Sequence, residues 1–136
     1  MSAPTNPFPK LPHGRPFLLI DRVIDVTERH GVFMKLVTAA DPCTASDGTL
    51  PAAYVLEALA QAGGALLAEL SDAAPTPGYL AAVDGFAMQS EARVGDAMHI
   101  EVELVRVFAS ATLFRGTARV GERIVAVGRF TLALPR

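Results

Sequence analysis

Residues 50–70 read LPAAYVLEALAQAGGALLAEL, an apolar run in which the only charged or amide side chains are Glu57, Gln61 and Glu69. Pro51 suits the first turn of a helix, and the polar, proline-rich SDAAPTPG stretch that follows ends it. A helix that is apolar around most of its circumference is stable only when other elements cover it on most sides. The run is long enough to suggest a membrane span, but a charge near the bilayer centre costs about 2.5 kcal/mol or more. A buried core helix is therefore expected, and the rest of the chain must supply its cover.

That cover reads as β-structure. PFLLIDRVIDVT is a short apolar turn running into an alternating stretch, and GVFMKLVTAA at 31–40 has the β-branched content of a strand. Beyond residue 79 come YLAAVDGFAM, MHIEVELVRVFA, ATLFRGTARV and RIVAVGRFTLAL, with turn signals at Val94-Gly95-Asp96 and a hairpin signal at Val120-Gly121-Glu122. In HIEVELVRV, polar His99, Glu101 and Glu103 alternate with apolar residues, and the alternation slips by one at Leu104 before Arg106. The expected fold is α+β: two strands, one long helix, then about four antiparallel strands that wrap it. One domain over 1–136 is expected, with residues 1–10 a flexible or surface-draped lead.

Hydrophobic residues make up 51% of the chain and the formal charge is only −2. This excludes a disordered chain and supplies no basic footprint for nucleic acid. The apolar excess predicts an oligomer interface, an apolar ligand tunnel, or both. The single cysteine, Cys43, forms no internal disulfide. MSAPTNPFPK lacks the apolar core of a secretory signal, so a cytoplasmic location is expected.

Two features of the helix call for an explanation. Each interior helical glycine costs roughly 1 kcal/mol relative to alanine, so Gly63-Gly64 predicts the close approach of a strand, a second helix or a ligand. Glu57 and Gln61, four apart, stand on one face. A carboxylate on a buried helix with no lysine or arginine beside it is either satisfied by Gln61 and loop N–H groups or forms the wall of an apolar pocket, where it can serve as a general acid or base. Gln61 would then orient it or bind a substrate oxygen.

LPHGRPFLLIDRVIDV, YVLEALAQAGGALL, YLAAVDG and RVGDAMHIEVELVRV occur in an order that resembles the β-hydroxyacyl-acyl-carrier-protein dehydratases of fatty acid synthesis, from Leu11 to Leu134. The resemblance implies the hotdog fold, an antiparallel sheet wrapped around a long central helix, and a dimer whose sheets join edge to edge. It implies a hydro-lyase reaction on an acyl thioester carried by acyl carrier protein or coenzyme A, in fatty acid or polyketide-type biosynthesis, with no metal and no cofactor. The family's acid, a glutamate in E-A-x-A-Q-A-G-G, matches Glu57. Gln61, Gly64 and the N–H of Ala52, at the helix start, fall at substrate-binding positions. The family's base is a histidine fourteen positions before the glutamate, and histidine and glutamate of one site come from opposite subunits.

Fourteen positions before Glu57 stands Cys43, and residues 41–51 contain no histidine. Alanine at 52 replaces the family's glycine and adds a Cβ where the thioester approaches. His13, His30 and His99 lie elsewhere in the pattern, while Asp41 and Asp47 share the loop as bases or as turn caps. Three readings follow: a dehydratase with a changed base, Cys43 included; a non-catalytic acyl-binding or partner subunit of an active dehydratase; and a thioesterase in which Glu57 activates water. A homodimer is expected, with a heteromer or higher oligomer as the variant.

Overall fold

The computed structural model describes residues 8–12, 18–41, 44–71 and 78–133. Most of the lead, His13 and Cys43 lie outside these residues. The elements run β1 (Arg22–Val26), β2 (His30–Leu36), α1 (Ala52–Glu69), β3 (Tyr79–Met88), β4 (Ala97–Phe108), β5 (Ala111–Val120) and β6 (Arg123–Ala133). All six strands form one antiparallel sheet in the order β1-β2-β4-β5-β6-β3. The helix lies against β4 and touches β2, β5, β6 and β3, so the sheet curls around it. This is the hotdog architecture.

The period-two pattern of β4 sorts its two faces. Met98, Ile100, Val102 and Leu104 are buried towards the helix, while His99, Glu101 and Glu103 stand on the opposite face. There Glu101 pairs with Arg119, and Glu103 lies 3.7 Å from Arg115. Where the alternation slips, the β4–β5 register shifts between Leu104 and Arg106. Arg29, in the β1–β2 turn, takes up the irregularity: its carbonyl accepts the Leu104 N–H at 2.7 Å, and its guanidinium donates to the carbonyls of Leu104 and Val105.

Gly63 answers the question of close approach. A Cβ there would come within 2.9 Å of the Phe130 ring and 3.3 Å of Phe114, two rings that stack at 5.3 Å. Gly64 differs, since its Cβ would meet only Leu11, at an ordinary 3.5 Å. The glycine pair therefore splits, one member pressed on the sheet and the other turned away from it.

The second strand ends at Leu36, short of the expected 31–40. The alternation of VFMKL turns Lys35 inwards, and the residue is 1% exposed. Its ammonium lies 3.2 Å from both carboxylate oxygens of Asp41, and Asp41 also accepts the Thr38 N–H. The ladder with β4 ends where that strand begins, Leu36 facing Ala97, and the chain beyond folds back so that Asp41 neutralises the buried Lys35.

Candidate active site

The start of α1 carries no cap. Pro51 occupies the N-cap position in an extended conformation, no side chain bonds the first turn, and no acidic residue lies in it. The N–H groups of Tyr54 and Val55 already turn back to the Pro51 carbonyl. Those of Ala52 and Ala53 have no partner within the helix, and they stand at the positive end of its dipole. Ala52 borders a cleft of about 380 Å³ between residues 49–52 and 88–91. Glu57 does not line that cleft; it stands farther along the helix. An oxygen bearing partial negative charge fits the helix start.

Glu57 is partly exposed, and its Oε1 accepts a hydrogen bond from Gln61 Nε2 at 3.2 Å. Gln61 itself is 2% exposed, and its Oε1 accepts the Leu19 N–H at 2.7 Å. The carbonyl end of the amide is therefore held by the backbone before β1, which fixes the direction of its NH₂ end towards Glu57. Gly64 is partly buried on the side of the helix that Leu11 approaches.

The loop before the helix is where a base is expected. Cys43 lies outside the described residues. Asp41 is engaged by Lys35 and Thr38. Asp47 accepts hydrogen bonds from the Thr49 hydroxyl at 2.6 Å and the Thr49 N–H at 3.0 Å, and these hold its carboxyl below the usual 3.8. Both carboxylates thus close turns of their own loop, the role that aspartate often has in loops. The loop is fastened to the segment after β3 by Leu50 N–H to the Ala92 carbonyl and Val94 N–H to the Gly48 carbonyl. His30 lies 3.8 Å from Glu101, and His99 shares the face of β4 turned away from the helix. Neither stands with Glu57.

Sequence reasoning missed two contributors, Lys35 and the Leu19 N–H. Lys35 had a legible signal, because a lysine at an inward position of an alternating strand needs a buried partner. The Leu19 bond spans 42 positions of the chain and had none.

Comparison with known proteins places this architecture. Residues 6–136 match the ApeP-like family, described as ApeP dehydratase. The chain is similar to the 3-hydroxyacyl-(acyl-carrier-protein) dehydratase FabZ of Caulobacter vibrioides, at 32% identity over 89% of this chain and 80% of that protein. It is likewise similar to FabZ of Shewanella oneidensis, at 36% identity over 85% and 80%. Among solved structures, the ApeI:P dehydratase heterocomplex of Xenorhabdus doucetiae superposes with a TM-score of 0.87 at 24% identity, covering 95% of this chain and 92% of that one. A hypothetical thioesterase with coenzyme A from Streptococcus pneumoniae shares the fold at a TM-score of 0.69 and 16% identity, over 84% of each chain. With a family match over nearly its whole length and relatives above 30% identity, the chain belongs to the ApeP-like dehydratase family and is a 3-hydroxyacyl-acyl-carrier-protein dehydratase-like protein of hotdog fold.

Proposed function

We propose that this chain binds a 3-hydroxyacyl thioester at the start of α1 and supplies Glu57 as the acid of dehydration, while the base comes from the loop of a second hotdog subunit. The observation that carries this reading is an asymmetry between the two halves of the site. Glu57 is held by Gln61 on the helix, whereas both described carboxylates of the loop are spent on closing turns. The acid half is kept, and the base half is not replaced from Asp41 or Asp47.

In the reaction, a base removes the α-proton and the electron pair forms the Cα–Cβ double bond. The Cβ–O bond breaks, and the Glu57 carboxyl protonates the departing hydroxyl to give water. The Ala52 N–H stabilises the charge that develops on the thioester oxygen. Gly64 leaves space beside Leu11 for the acyl chain. The thioester arrives on acyl carrier protein or coenzyme A.

The arrangement of such dimers, with acid and base from opposite subunits, gives a heteromer one complete site: Glu57 of this chain facing the partner's histidine. The reciprocal site pairs the partner's acid with a loop holding Cys43. The relative solved as a dehydratase heterocomplex supports this assembly. So does β3, an edge strand with Tyr79 58% and Val83 43% exposed, whose outer side offers a pairing edge.

The test is dehydration of a 3-hydroxyacyl thioester by the chain alone and by its complex with a histidine-bearing dehydratase subunit. The chain alone is expected at background, since loss of a general base costs about 10² to 10⁴ in rate. In the complex, Glu57→Gln in this chain is expected to abolish turnover, and Cys43→His to add a second working site. A complex indifferent to Glu57→Gln overturns the catalytic role and leaves a purely structural subunit. Enzyme-like turnover by the isolated chain assigns the base to its own loop.

A further inference from the structure

Arg123, the first residue of β6, faces Val120 across the β5–β6 turn, and its guanidinium reaches back to one wall of the cleft beside Ala52. Its Nη1 donates to the Glu91 carbonyl at 2.6 Å and to the Ser90 hydroxyl at 2.8 Å, and its Nη2 lies 3.7 Å from the Asp96 carboxylate. The Ser90 hydroxyl donates in turn to the Ile124 carbonyl at 2.7 Å. Ser90 and Glu91 both line the cleft. The strand ladder no longer holds this wall, because β3 ends its pairing with β6 at Met88, opposite Ala126. Beyond Met88 the wall is fastened to β6 by the Gln89 and Ser90 N–H groups on the Val125 carbonyl, by the Ser90 hydroxyl, and by Arg123.

The lining indicates which part of a substrate the cleft can take. Glu57 is not part of it, so a substrate whose reacting carbons stand at Glu57 leaves the cleft to the carrier side of the thioester. Leu50 and Met88 offer apolar surface there, and Gln89 and Ser90 offer polar groups. A pantetheine arm, with a dimethyl-substituted carbon and two amides, presents the matching mixture, and about 380 Å³ falls within the range of small-molecule sites. Among the described residues no lysine or arginine lines the cleft. Arg123 acts from behind the wall, through Ser90 and the Glu91 backbone.

Resting on the thioester reading above, we propose that Arg123 is a positioning residue for the pantetheine arm: by bonding Ser90 and the Glu91 carbonyl it holds the 88–91 wall where the arm can lie against it. A wall already in place spares the ordering that binding would otherwise have to drive, so the affinity for the arm depends on it. The guanidinium suits the task because its planar fork holds two oxygens of adjacent residues and an ion pair at once. Its side chain is half exposed, so its removal leaves no cavity in the core.

The experiment measures binding to the full chain of two probes, a saturated S-acyl pantetheine and the S-ethyl thioester of the same acid, which lacks the arm. Wild type is expected to favour the pantetheine probe. Arg123→Ala is expected to weaken its binding roughly five- to twentyfold, the range for losing charge-assisted hydrogen bonds, and to leave the S-ethyl probe unchanged. Arg123→Lys, with one compact donor group, is expected to restore part of the preference. Ser90→Ala removes an oxygen that Arg123 holds and is expected to cause the same selective loss. An undiminished preference in Arg123→Ala overturns the inference, and so does an equal loss for both probes, which marks a purely structural role. Wild type that binds both probes equally overturns the inference and leaves the thioester reading standing. Wild type that binds neither overturns the thioester reading, and this inference with it.

Discussion

Gly63 and Gly64 are adjacent and chemically identical, yet they answer to different constraints. At 63 an added methyl would press into the Phe130 and Phe114 rings, with contacts of 2.9 and 3.3 Å. At 64 it would make an ordinary contact with Leu11. Gly63→Ala is therefore expected to destabilise the fold by about 1–3 kcal/mol through overpacking. Gly64→Ala is expected to stabilise it by up to about 1 kcal/mol through helix propensity. Urea denaturation of both variants checks the pair, and the opposite order would contradict the placement of the helix on the sheet. The residue types were informative in the sequence, since paired helical glycines demand a neighbour. Which of the two has that neighbour depends on the rotation of α1 against β5 and β6, a quantity no local pattern contains. Glu57 and Gln61 show the same division. Their spacing of four placed them on one face, but the Leu19 N–H that holds Gln61 is contributed by a segment far away in the chain.

At the scale of elements, the loop between β2 and α1 is governed by two carboxylates with different energetics. Asp41 neutralises Lys35, whose side chain is 2% exposed, while the Asp41 side chain is 17% exposed. Asp41→Ala strands a buried ammonium and is expected to cost about 3–5 kcal/mol. Lys35→Met replaces the charge with an apolar chain of similar length and leaves the carboxylate nearer to water, so the loss should be smaller. Chemical denaturation of the two variants tests this ordering. Asp47 is exposed, and its carboxyl is held below 3.8 first by the Thr49 hydroxyl and then by the Thr49 N–H. A depressed folded-state value means that the stabilisation is full above the unfolded value and is lost as the pH falls below about 3.8 through the folded one. The melting-temperature difference between wild type and Asp47→Ala should accordingly be constant near neutrality and shrink below that pH; a difference independent of pH would rule out the carboxylate as its source. The helix was legible as a long apolar run bounded by Pro51 and a proline-rich turn, and the strands after it by their turn signals and by a period of 2 that in β4 slips once, at Leu104. The end of β2 was not, because it falls where the partner strand β4 begins, Leu36 facing Ala97, and a partner's start is not written in the residues of β2.

For the whole molecule, β1 and β3 are the strands that the sheet leaves half-partnered, and β3 is the longer of the two edges. Tyr79 and Val83 are exposed on an edge strand, an arrangement that invites pairing with another chain. Val83→Lys is expected to leave the circular dichroism spectrum unchanged while shifting the assembly to single subunits in native mass spectrometry. An unaltered oligomer would place the contact elsewhere. By itself, the amino-acid sequence determined that a long apolar helix must be wrapped by antiparallel strands, where each strand after the helix begins, and that Glu57 and Gln61 share a face, because burial periodicity and residue spacing are written locally along the chain. Only the tertiary structure decided that Gln61 is fastened to Leu19, that Gly63 and not Gly64 meets the sheet, that Asp41 and Asp47 are consumed by their own loop, and that β3 lies at the edge beyond β6. Each of these depends on segments distant in sequence being brought together by the curl of one sheet around one helix, and the contacts so made compete for the same polar groups.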